Sequence, residues 1–166
     1  MLLIGLLQTT AVPPAPAVPP SVRGDRFQII VPQGWRTLRE GSSVLLEHSS
    51  GASLLIQRTD RASNLSGFAR RQAERIMMPL GFARLGEPLQ FKDAHVEWVQ
   101  YEIRGNRLDD RHRLLYKLLR RDASFFESIY EAPEDQFELL LTEAQSIASS
   151  VQAIIEAPPR PRRRLR

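Results

Sequence analysis

Three segments in the second half of the chain constrain the fold more than anything else in the sequence: HVEWVQYEI (95–103), RHRLLYKLLRR (111–121) and ASFFESIYEA (123–132). Each has the length of a β-strand and is rich in aromatic and branched aliphatic side chains. RGNRLDD (104–110) separates the first two, and a short turn around Asp122 separates the second pair. Strands joined this closely pair antiparallel, because a parallel crossover needs a dozen or more residues. The region from Phe82 to Ala132 therefore reads as a β-meander.

Elements on both sides of the meander complete the plan. FQIIVP (27–32) reads as a strand closed by Pro32, which lacks a ladder donor, with Gly34 in the turn that follows. The ring of Trp35 is then expected to fold back onto the sheet and bury a large apolar area. SVLLEH (43–48) and ASLLIQRT (52–59) flank SSG, a hairpin signal. Leu65, Phe68, Ala69, Ala73, Ile76, Met77 and Leu80 recur at spacings of three and four. That spacing predicts a helix over 64–79, with Ser63 as its N-cap and Pro79, Leu80 and Gly81 as its stop. Phe137, Leu140, Leu141, Ala144, Ile147, Ala148 and Val151 form a second stripe, predicting a helix over 133–150 with Pro133 at its first position. Glu97, Glu102, Glu127 and Glu131 alternate with apolar residues, as on the wet face of a half-covered sheet. The expected class is α+β: an antiparallel twisted sheet with two amphipathic helices packed on it.

The strand ending in VPQGW, the hairpin, the helix, the antiparallel run and the closing APEDQFELLLTEAQSIASSV together resemble the PsbP-like superfamily, which includes bacterial DcrB-like domains. The resemblance implies an α/β/α layered domain and a non-enzymatic accessory, chaperone or adaptor role, without a shared activity or cofactor.

The chemical motifs point the same way. GFARLGEP (81–88) spaces two glycines like a phosphate loop, but Glu87 stands where a phosphate-binding lysine is required, and its carboxylate would repel the phosphate. His48, His95 and His112, with Asp93, Asp109 and Asp110, show neither the i, i+4 nor the H-x-H spacing that brings ligands together, and Asp109, Asp110 and His112 read as one hairpin loop. No G-x-S-x-G elbow occurs, and there is no cysteine to serve as nucleophile, thiolate ligand or lipid anchor. These patterns assign no catalytic, cofactor-binding or metal residue.

The two ends differ from the middle. Leu2 to Leu7 is a short apolar run, followed by Pro13, Pro14, Pro16, Pro19 and Pro20. It reads as a degenerate signal peptide and a Pro-rich leader over 1–25, although a basic n-region is missing. The domain is expected over 26–156, and residues 157–166 as a disordered Pro/Arg-rich tail. The formal net charge is +4; removing Arg160, Arg162, Arg163, Arg164 and Arg166 leaves 4 − 5 = −1, so the basicity belongs to the tail. Those five arginines are the candidate contact for an anionic membrane or nucleic acid. The expectation is a non-catalytic accessory or adaptor protein of the bacterial cell envelope, periplasmic or secreted, with an unidentified protein partner. The alternative is a cytoplasmic DcrB-like chaperone for hydrophobic segments of secretion-system effectors.

Overall fold

The computed structural model describes residues 20–59 and 63–154. Strands β1 (Ser21–Gly24) and β2 (Phe27–Ile30) form a hairpin, and β3 (Trp35–Arg39), β4 (Ser43–His48) and β5 (Ser53–Thr59) follow. Helix α1 (Leu65–Met77) leads to β6 (Gly81–Leu85), β7 (Leu89–Lys92), β8 (Val96–Arg107), β9 (Asp110–Arg121) and β10 (Ser124–Pro133). Helix α2 (Phe137–Ser149) and the short β11 (Gln152–Ala153) close the described chain. The large sheet has the order β3-β4-β5-β10-β9-β8-β6, with β7 also on β8, and every pairing in it is antiparallel. A second sheet, β1-β2-β11, is also antiparallel.

The helices take opposite faces of the large sheet. Under α2 and the small sheet lie Phe27, Ile29, Trp35, Leu46, Leu54, Ile56, Phe126, Tyr130, Phe137 and Ile147. Beneath α1 lie Leu65, Ala69, Ala73, Tyr101, Ile103, Leu114, Tyr116, Leu118 and Phe125. Strand alternation sends odd and even residues of β8, β9 and β10 into different cores. Each large apolar side chain removed from water contributes about 1.5–3 kcal/mol, so both layers are needed. The α+β class and its layering follow the sequence reading.

VPQGW is the crossing from the small sheet to the large one. β2 ends at Ile30, Gly34 turns at φ +99°, and Trp35 opens β3 at the large sheet's edge. Its ring is 8% exposed, and its Nε1–H donates to Glu143 Oε2 of α2 at 2.9 Å. The expected burial of Trp35 is therefore found, with a polar tie to the covering helix.

Several local expectations need correction. Asn64, not Ser63, caps α1: its side chain accepts from Gly67 N at 2.9 Å while its backbone is extended. Pro133 does not start α2 but ends β10 opposite His112, beyond the last β10–β5 pair at Glu131, where its missing donor costs no bond to β5. The helix begins four residues later, at Phe137. RGNRLDD is mostly strand: β8 runs to Arg107 and β9 starts at Asp110, leaving Leu108 and Asp109 as the turn, with Leu108 at φ 57°. Asp110 and His112 thus belong to β9 rather than to a shared loop. Strand β1 lies within the segment assigned to the leader, because Ser21–Gly24 pairs with β2 and Val22 packs on the core. Glu127 is not on a wet face; it is 6% exposed, since the sheet is covered on both sides.

Candidate functional site

Arg160, Arg162, Arg163, Arg164 and Arg166, the contact residues expected from sequence, lie outside the described residues. The expected ligand candidates are scattered. His48 packs on Trp35 with ring centroids 5.5 Å apart. His95 faces Asp122 at 3.5 Å in an exposed turn, and Asp93 Oδ1 accepts from the backbone N–H groups of His95 and Val96. His112 lies 3.1 Å from Glu131, whose carboxylate also accepts two bonds from Arg107 at 2.7 and 2.8 Å. Among the described residues, no group of three such side chains converges as a metal site.

Elsewhere, one face of the large sheet is left partly uncovered. Helix α2 packs on β10 and β2, and β1 reaches β4, so the covering layer sits toward the β3–β10 half of this face. On the outer half, a groove of about 410 Å³ opens among Arg84, Leu85, Gly86, Glu87, Leu89, Gln100, Glu102, Arg104 and Leu115. Its floor is the α2-side face of β8 and β9, and its outer lip is the β6–β7 segment. Register fixes three cross-strand rows on that face. One runs Phe91, Trp98, Leu119, Phe126; the next Leu89, Gln100, Lys117, Ser128; the third Glu102, Leu115, Tyr130. Phe91 stacks on Trp98 at 6.0 Å, and the Lys117 ammonium lies 4.5 Å from the centre of the same indole. Leu89 and Phe91 remain 60% and 46% exposed, so the lip presents apolar surface to solvent.

The charges on this face are mostly committed to one another. Glu102 accepts from Arg104 at 2.7 Å and pairs with Arg113 at 3.1 Å. Burial alone would raise the Glu102 carboxyl, but the bonds and charges of the two arginines hold it below its ordinary value. Arg113 also donates to Glu138 of α2 at 2.7 Å and lies 4.1 Å from the Phe137 ring centre. Burial pulls its guanidinium down, yet the two carboxylates leave it raised overall. Arg121 donates to the carbonyls of Val151 and Ser149 at the other end of the helix. Sequence reasoning singled out none of Trp98, Gln100 or Lys117. One signal was available: Lys117 interrupts the apolar run LLYKLL and is one of two lysines in the chain, the other being Lys92.

On the opposite face Tyr116 donates to Glu127 Oε1 at 2.9 Å, and Gln57 donates to Glu127 Oε2 at 2.8 Å. Burial first, then the adjacent carboxylate, raises the Tyr116 phenol far above its usual value. That makes Tyr116 a structural donor, held protonated across the physiological range.

No family model matches the chain. No curated protein matches it either. Solved structures do. The solution structure of cyanobacterial PsbP (CyanoP) from Synechocystis sp. PCC 6803 superposes with a TM-score of 0.55 at 15% identity, covering 77% of this chain and 86% of that one. LpqN, involved in cell envelope biogenesis of Mycobacterium tuberculosis, matches at TM-score 0.54 and 12% identity, covering 78% and 83%. The Saccharomyces cerevisiae Ran-binding protein Mog1p matches at TM-score 0.54 and 10% identity, covering 78% and 90%. These superpositions show the fold: a large antiparallel sheet with a helix on each face, shared with cyanobacterial PsbP and the other two proteins.

Proposed function

We propose that this protein is a non-catalytic accessory or adaptor protein of the bacterial cell envelope, acting through a protein partner held against the outer half of the α2-side sheet face. The observation that carries the reading is the groove itself: an apolar lip of Leu89 and Phe91 beside the Glu102 carboxylate, already neutralised by Arg104 and Arg113. Such a surface recognises shape and apolar area and offers little spare acid–base chemistry. The likeness to LpqN, described by its role in envelope biogenesis, supports the compartment, and the likeness to the Ran-binding Mog1p supports a binding role. Arg160, Arg162, Arg163, Arg164 and Arg166 add a weak second contact with anionic membrane or nucleic acid.

The test is site-specific photo-crosslinking in cells producing the full chain. A photoreactive phenylalanine analogue at position 89 should give a discrete adduct in the envelope fraction. The same analogue at position 71, on the exposed side of α1, should give none. An adduct confined to the cytosol would favour the chaperone reading, in which the same groove holds a hydrophobic effector segment. Absence of any position-dependent adduct would overturn the groove as the contact surface.

A further inference from the structure

The groove continues past Arg84 and Arg104. Those two residues also line a second hollow of about 520 Å³, together with Phe82, Asn106, Arg111 and Glu134. Register places Arg84, Arg104 and Arg113 side by side in one cross-strand row, with Asn106 and Arg111 in the next. The two hollows are therefore continuous along β8, from Gln100 opposite Leu89 to Asn106 beside Phe82. At about 3.4 Å per residue that run is about 20 Å long, the reach of roughly six extended residues.

A β-bulge shapes the far end of this channel. Gly81 pairs with Asn106 and Arg84 with Arg104, so Phe82 and Ala83 together oppose the single residue Gly105. A Cβ on Gly105 would stand 2.9 Å from Leu80 Cβ and 3.3 Å from Ala83 Cα, so the bulge closes only over a residue without a side chain. Phe82 takes φ 49°, which strains a bulky residue, yet its ring is left 92% exposed. The strained backbone buries no ring; it aims an aromatic side chain at solvent beside the arginines. The charges along the channel are sorted as well. Arg104 is taken by Glu102 at 2.7 Å and faces Glu134 at 3.9 Å, and Arg113 is taken by Glu102 and Glu138. Among the described residues, Arg84 and Arg111 have no carboxylate at ion-pair distance, and Glu87, toward the Leu89 end, has no cation there. Both arginines are exposed and solvated, so what they supply is a local positive potential. Spare positive charge thus collects at the Phe82 end, and apolar surface with one spare carboxylate at the Leu89 end.

We propose that the channel binds an extended protein segment whose apolar residues lie against Leu89 and Leu115 and whose Asp or Glu residues lie over Arg84 and Arg111, with Phe82 packing on an apolar side chain at that end. The assignment rests on the accessory reading, in which the groove holds a protein partner, and adds the chemistry of that partner. An extended segment suits a channel that follows a strand, because every second side chain then points down into it. Guanidiniums bind carboxylates with two parallel bonds, so acidic side chains at the Phe82 end gain direction as well as charge. A uniformly anionic bilayer gains little here, since the lining residues Arg84, Arg104 and Arg111 are offset by Glu87, Glu102 and Glu134. A segment charged at one end gains at Arg84 and Arg111 while keeping its carboxylates away from Glu87.

The experiment selects random phage-displayed octapeptides on the full chain and measures the affinity of a synthetic peptide of the enriched consensus by fluorescence anisotropy. Enriched peptides should carry Asp or Glu at one end and apolar residues at the other. The double variant Arg84→Gln, Arg111→Gln should bind the consensus peptide about ten-fold more weakly than the wild type, with each exposed ion pair worth roughly a factor of three. Phe82→Ala should weaken it too. Enrichment without acidic residues, no enrichment above an unrelated control protein, or an affinity unchanged in the double variant would each overturn the proposal. So would adsorption of the 1–157 chain to anionic vesicles that Phe82→Ala abolishes, which would give the Phe82 end to a membrane. The selection on the wild type stands even if a variant folds poorly. In cells, the photoreactive analogue in place of Phe82 should give the same adduct as at position 89. An adduct at 89 with none at 82 would defeat the extended segment alone; acidic enrichment with no envelope adduct at either position would defeat the accessory reading alone.

Discussion

Side chains on one sheet face meet different fates here according to what faces them, and the energetic consequences have opposite signs. Glu102, between Arg104 and Arg113, has a folded pKa below the ordinary 4.5. A depressed carboxylate contributes stability that is fully present above about 4.5 and is lost as pH falls through the folded value. Glu102→Gln should therefore lower the urea midpoint at pH 7, by about 1 kcal/mol at most given partial exposure, and lower it less at pH 3. An equal loss at both pH values would show that packing rather than charge was removed. Lys117 runs the other way. With its folded pKa below the usual 10.5, the unfolded chain binds the proton more tightly, so stability from this residue rises as pH climbs through that interval. Lys117→Met should raise the urea midpoint at pH 7 and flatten that rise. A lowered midpoint would mean that the contact with Trp98 outweighs the desolvation of the ammonium.

Among the elements, α2 is held more by tertiary contact than by its own sequence. Gln136 provides no side-chain cap, and the N-terminal turn is instead tied by Arg113 to Glu138 and by the Tyr130 hydroxyl donating to the Phe137 carbonyl at 2.9 Å. Ile147 is 1% exposed, so Ile147→Ala should cost about 2–5 kcal/mol in urea unfolding. Leu140 only borders the same core, and Leu140→Ala should cost less, about 1 kcal/mol. If both midpoints stay at wild type, α2 is not a core helix. The stripe that makes these positions sensitive was legible from spacing alone, as were the hairpin of β4 and β5 and the long strands of the meander. The start of α2 was not, because Pro133 suits a strand end whose second ladder has stopped as well as it suits a first helical turn. Strand β7 left no pattern to read: all four of its residues are exposed, so alternation carries no signal. Glu127 misled for a related reason, since one carboxylate among apolar neighbours looks wet until the partners Tyr116 and Gln57 are in place. The groove was illegible because its residues are ordinary strand residues, and what distinguishes them is where α2 stops covering the sheet.

At the scale of the whole molecule, charge is divided between the body and the end of the chain. The formal −1 of the first 159 residues predicts little attraction to anionic surfaces, whereas Arg160, Arg162, Arg163, Arg164 and Arg166 concentrate five positive charges within seven residues. The last described strand ends at Ala153, before Pro158 and Pro159, so a chain ending at residue 157 keeps every described element and should fold as the full one does. Full-length protein is expected to co-sediment with vesicles containing anionic lipid at low salt and to release at physiological salt, while the 1–157 chain stays in the supernatant. Each basic residue near such a surface contributes about 1 kcal/mol, enough in sum for detectable adsorption. On duplex DNA the slope of log affinity against log salt should be no steeper than about −4.5, from −0.9 for each of five neutralised phosphates. Equal sedimentation of both chains would move the contact to the folded domain. The surface to mutate would then be the shallow one where Arg84, Arg104 and Arg111 surround the fully exposed ring of Phe82, itself held at φ 49°. No sedimentation of either chain would remove the tail from the binding account and leave the sheet groove as the one contact surface proposed.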